Sequence, residues 1–94
     1  MHIGVCKIKL YLPESQSLKE KRRAIKSLIA RLKNRFNLAI AEVEAQDVHQ
    51  SAVLAAVSVA NDVKFVNKIL AQSVKFIEEN SSVVLVDYET EFFF

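Results

Sequence analysis

Apolar side chains in this chain keep two spacings, every second residue and every third or fourth, in the order strand, helix, strand, strand, helix, strand. Residues 3–12 alternate: Cys6, Ile8, Leu10 and Leu12 share one face and Lys7, Lys9 and Tyr11 the other, as in a half-buried strand ended by Pro13. Ser17 and Glu20 form an S-x-x-E capping box, in which the Ser17 hydroxyl accepts from the Glu20 amide and the Glu20 side chain returns to the Ser17 amide. Leu18, Ile25, Leu28, Ile29, Leu32 and Phe36 then line one helical stripe, with Asn37 as a left-handed stop. In residues 38–45, Ala39, Ala41, Val43 and Ala45 alternate with Glu42 and Glu44, the acids on the solvent side. Residues 45–51 turn the chain, and 52–60 are apolar on both faces, as in a central strand. Asn61-Asp62 caps a helix from Val63 to Glu79 that buries Phe65, Val66, Ile69, Leu70, Val74, Phe76 and Ile77. Asn80-Ser81-Ser82 breaks it, and residues 83–92 form the last strand.

Two crossover helices joined through a central hairpin predict a split βαβ plan. The expected fold class is α+β, ferredoxin-like β-α-β-β-α-β: a four-stranded antiparallel sheet with two helices on one face, a single domain over residues 1–94. The other face stays open. Gly4 and Pro13 are the only glycine and proline, so flexible linkers and glycine-rich phosphate loops are absent. The lone Cys6 has no disulfide partner, and no apolar run reaches membrane-spanning length, so the expectation is a soluble cytoplasmic protein with no membrane contact.

Charge is the uneven property. Residues 17–36 carry eight Lys or Arg and one acid, Glu20, which leaves five bases and ten acids for the rest of a chain of net charge +2. On a helical wheel Lys19, Arg22, Arg23, Lys26 and Lys33 fall in one arc with Ala30, and Arg31 and Arg35 are secondary. From Lys19 to Lys33 this ridge runs roughly 20 Å, enough to cross several phosphates of a nucleic acid. A helix needing only solubility mixes signs, and cations in the first turns oppose the helix dipole, so the pattern points to an anionic partner. The plainer alternatives are a solvated basic face, partial pairing with Glu78 and Glu79, and for Lys21 an aliphatic stem laid over the core edge. The loop Glu14–Ser17 with Lys19 resembles a phosphate-binding helix N-terminus, though capping explains Ser17 as well.

The open sheet face is a second surface. Val5, Lys7, Lys9 and Tyr11 of the first strand and Leu85 of the last form its candidate partner interface, with Asp87, Glu89 and Glu91 beside them. Lys7 and Lys9 are expected to pair with Asp87 and Glu89. Only Tyr11 is an aromatic suited to stacking a base, so the face fits a protein contact, including a homodimer, better than RNA. Of the terminal Phe92-Phe93-Phe94, one or two should pack on the chain's own core.

No catalytic residues emerge. Cys6 lies mid-strand on the apolar side, His2 and His49 are isolated in sequence, and Asp47-x-His49 lacks a third metal ligand. Ser15, Ser17 and Ser51 have no evident base, and the arginine-bearing loop of acylphosphatases, which share the fold, is not visible. The reading is a binding module with no cofactor and no metal.

L-x-L-P at 10–13, S-L-K-E-K-R-R at 17–23, R-F-N at 35–37, A-E-V at 41–43, Q-D at 46–47, N-D at 61–62 and D-Y-E-T-E at 87–91 resemble the YlxP-like family of small bacterial proteins, domain of unknown function 503. The resemblance spans essentially the whole chain and departs at His49, where many relatives carry an aromatic residue. It implies the ferredoxin-like fold, and it implies ribosomal RNA or ribosomal particles as the setting. No family catalytic residues exist to carry over.

Overall fold

The computed structural model describes residues 1–93, arranged as β1 (His2–Tyr11), α1 (Leu18–Arg35), β2 (Ala39–Glu44), β3 (Ser51–Ala60), α2 (Val63–Glu78) and β4 (Val84–Phe93). Every strand pair is antiparallel and the sheet runs β2-β3-β1-β4, which is the ferredoxin-like order. The core is the helix-covered face: Ile8 and Leu10 of β1, with Leu12 just beyond it, meet Ile25, Leu28 and Leu32 of α1 and Val66, Leu70, Val74 and Ile77 of α2. Each such side chain contributes about 1.5–3 kcal/mol through burial. The only glycine marks where α2 lies closest: a Cβ at Gly4 would stand 2.6 Å from Val66 Cγ1 and 2.7 Å from Leu70 Cδ1.

Local signals placed the helix ends, with two corrections. The Ser17 hydroxyl accepts from the Glu20 amide at 3.1 Å, as a capping box requires. Glu20 Oε2, however, accepts from the Gln16 amide at 2.6 Å, one residue earlier than expected. Asn37 is not left-handed. Phe36 ends α1 instead by turning extended to set its ring edge-on to Phe76, with centroids 6.1 Å apart. Asp62 caps α2 through the Lys64 amide at 2.9 Å, and Asn80 Oδ1 accepts from the Ser82 amide in the turn that follows. Phe65 is exposed, not buried, and Ser73 takes the inward place, its hydroxyl donating to Ile69 O at 2.8 Å.

Edge strands depart further from simple alternation. In β2 the phase is reversed: Ile40 and Glu42 face the helices, while Ala39 and Ala41 lie on the open side. A bulge at Val43 then turns Glu44 to the open face opposite Val53. In β4 a matching bulge at Val86 lets Leu85 pair with Leu10 and pack on the core, so Leu85 is not on the open face. Val84, opposite Tyr11, occupies that place. One inserted residue flips every side chain beyond it, and alternation alone cannot reveal the insertion. Phe92 packs on the chain's own core, Phe93 is exposed on the open side opposite Ile3, and Phe94 lies outside the described residues.

Candidate nucleic-acid interface

α1 packs through Lys21, Ile25, Leu28 and Leu32, which turns the opposite arc to water. Lys19, Arg22, Arg23, Lys26, Arg31, Lys33 and Arg35 are all exposed. None of the seven forms an ion pair among the described residues, Glu78 and Glu79 included. They differ in freedom, however. Arg31 Nε donates to Ser27 O at 3.4 Å. The Arg35 guanidinium lies 5.4 Å from the Phe76 ring centroid and 5.8 Å from that of Phe36, a cation–π contact that seals the helix–helix seam. Lys19, Arg22, Arg23, Lys26 and Lys33 are left as a row of uncommitted charges.

The eighth cation is different. Lys21 is fully buried, and its ammonium donates to Ala45 O at 2.6 Å, Ser51 O at 3.1 Å and Gln46 O at 3.2 Å. These three carbonyls use all three ammonium donors. Glu42 Oε2 stands 2.9 Å from the same nitrogen and supplies its counter-charge. Ala45 adopts a left-handed φ of 61°, which aims its carbonyl at both Lys21 and the Val48 amide. For alanine that conformation costs about 1–2 kcal/mol, which the enclosed ammonium offsets. The same end is tied again by Gln50, whose side chain donates to Ser15 O at 3.2 Å and whose carbonyl accepts from the Leu12 amide at 2.9 Å. Together these bonds fix the first turn of α1 on the β2–β3 hairpin and set the direction in which the ridge points.

Sequence reasoning passed over Lys21 as an inward group, although a signal was present. It lies four, seven and eleven residues before Ile25, Leu28 and Leu32, within the apolar stripe itself. The suggested phosphate loop is occupied from within: the Ser15 hydroxyl donates to Ser17 O, and Gln16 N and Glu20 N are both capped. Lys7 and Lys9 stand opposite Glu89 and Asp87 as expected, but the ion pair of Lys7 is with Glu44, at 3.1 Å across Ala55. Burial raises the pKa of the Cys6 thiol, partly countered by a hydrogen bond with Thr90. That keeps it protonated and unsuited to nucleophilic attack. No cluster of three potential metal ligands occurs among the described residues, and no described helix is long and apolar enough to cross a membrane.

Fold and surface define a class: a small ferredoxin-like α+β protein whose outer helix presents unpaired cations. Residues 3–90 match the family model described as "Protein of unknown function (DUF503)", and the chain belongs to that family. It is 29% identical over 91 residues to "Uncharacterized protein YlxP" of Bacillus subtilis (strain 168), an alignment covering 97% of this chain and 99% of the relative. Neither the family description nor the relative's name carries a catalytic activity.

Proposed function

We propose that this domain is a non-catalytic module that binds RNA, ribosomal RNA or ribosomal particles in particular, along the outer ridge of α1. The observation that carries the reading is that Lys19, Arg22, Arg23, Lys26 and Lys33 share an exposed arc and pair with no carboxylate among the described residues, although the rest of the chain is rich in acid. Phosphates lie along this row in an electrostatic, weakly sequence-selective contact that releases counterions. Arg31 and Arg35 flank it and add less, because each already has an internal partner. The test is co-sedimentation with ribosomal particles from a bacterial extract at low and at physiological salt. Retention falls with salt and is lost when Arg22, Arg23 and Lys26 are changed together to Gln. Unchanged affinity of that variant for structured RNA would remove the ridge from consideration.

A second reading concerns the open sheet face as a protein contact. It is favoured by β3, which has no charged side chain on either face, so Ala55, Val57 and Val59 look outward from the middle of the sheet. Antiparallel sheets with one solvated face ordinarily alternate apolar with polar residues.

A further inference from the structure

The open face is not merely apolar; its charges are unbalanced in one place. A groove of about 310 Å³ crosses it from β4 to β2, with Val5, Ala55, Val43 and Phe93 as its apolar lining and Glu89 and Glu91 along one wall. Lys7 and Glu44, which also line it, are taken up by each other. The groove thus holds three carboxylates against one ammonium, a net of −2. Glu91 stands opposite Val5, and Glu89 opposite Lys7, whose ammonium is drawn away to Glu44. Further along the sheet Val53 is only 8% exposed on this same side, whereas Val59 and Phe93 are about half exposed at the end where Glu89 and Glu91 lie, two carboxylates with no ion pair among the described residues. Tyr11 and Val84 form a separate exposed apolar pair at the far end.

From this we infer that the open face docks a polypeptide segment that is both apolar and basic, an extended stretch with Lys or Arg alternating with aliphatic residues. Its aliphatic side chains cover Val5, Ala55 and Phe93, and its cations meet Glu89 and Glu91. The inference rests on the reading of this face as a protein contact and adds the chemistry of the partner. A second copy of the chain is a poorer occupant, for a reason of symmetry. A twofold axis along the strands sets β4 of one copy over β2 of the other, so the carboxylates face Ala39, Ala41 and Glu44. An axis across the strands stacks β4 on β4 and carboxylate on carboxylate, which is repulsive. With the axis through the middle of the sheet, neither arrangement sets Lys7 or Lys9 of the second copy on Glu89 and Glu91. RNA is excluded from the groove by the same negative charge, while α1 on the opposite layer attracts it. The two surfaces therefore select partners of opposite sign, which suits a module seated between a nucleic acid and a basic protein segment.

Amide chemical shifts of the labelled protein decide this in a titration at low salt with a short capped peptide of alternating lysine and valine. Saturable shifts are expected at Val5, Ala55, Glu89 and Glu91 but not along Lys19–Lys33. The E89Q/E91Q variant, altered only at exposed side chains, binds this peptide roughly tenfold more weakly. The R22Q/R23Q/K26Q variant binds it as the parent does. Equal binding of a glutamate–valine peptide would overturn the inferred chemistry while leaving a protein contact in place. So would concentration-dependent shifts on the open face without peptide, which identify a second copy as the occupant. Absence of both peptide binding and self-association would overturn the chemistry and the protein-contact reading together.

Discussion

Lys19 and Lys21 stand two residues apart on α1, one in water on the outer ridge, the other enclosed at the hairpin end of the sheet. Residue type does not separate them; a turn of 200° about the helix axis does. Outward, a lysine keeps its hydration and its charge remains available to a partner. Inward, it must exchange water for acceptors of equal quality, and β2, the hairpin turn and β3 supply three carbonyls and a carboxylate. A basic helix thus holds its own orientation with one charge of the same kind that it otherwise offers outward. Lys21 is a positioning residue, and the ridge is what it positions.

The largest effect is expected from removing the enclosed charge. Lys21→Met leaves Glu42 without its counter-ion and removes the ammonium from three carbonyls, of which Ala45 O keeps the Val48 amide, and should lower the unfolding free energy by about 3–5 kcal/mol in urea titration. Changing Glu42 to Leu in the same chain should recover a large part of that loss, because no unpaired buried charge remains. A loss below about 1 kcal/mol for the single variant would mean that the hairpin holds α1 without the ammonium. Gly4→Ala comes next: α2 must move off β1, at about 1–3 kcal/mol, with both crossover helices otherwise intact by circular dichroism. Ala45→Gly bears on the strain directly. Relief of the left-handed alanine outweighs the added freedom of the unfolded chain, so stability should rise by up to about 1 kcal/mol. A drop in thermal midpoint would show that the turn is not strained. The smallest effect on stability belongs to the ridge, where R22Q/R23Q/K26Q should change unfolding by within about 0.5 kcal/mol per site while RNA affinity collapses. That contrast with Lys21→Met is the sharpest separation of the two roles.

Much of the architecture was legible because each element carries its own period. β1, β3 and both helices have long apolar repeats, and their caps at Ser17 and Asp62 are local chemistry that forms wherever the chain goes. Edge strands were less legible. β2 offered alanines on one side and glutamates on the other, and hydrophobicity alone turned the alanines inward. The structure turns Ile40 and Glu42 inward instead, because Lys21 needs a carboxylate. Leu85 was assigned to the open face by counting, and the bulge at Val86 moved it to the core. The ridge, from Lys19 to Arg35, was legible as a set of exposed positions, but the sequence did not separate the free cations from Arg35, whose place over Phe36 and Phe76 depends on where α2 lies.

Sequence alone determined the order of elements, the sheet plan, the N-cap residues of both helices and the exposure of the basic arc, since all of these follow from periodicities and hydrogen bonds within a few residues. Tertiary structure decided the fate of Lys21, the phase of β2, the two bulges and the carboxylates left uncompensated beside Phe93. These depend on which groups from distant segments meet in a medium where an unmatched charge is expensive, and no local pattern records that meeting.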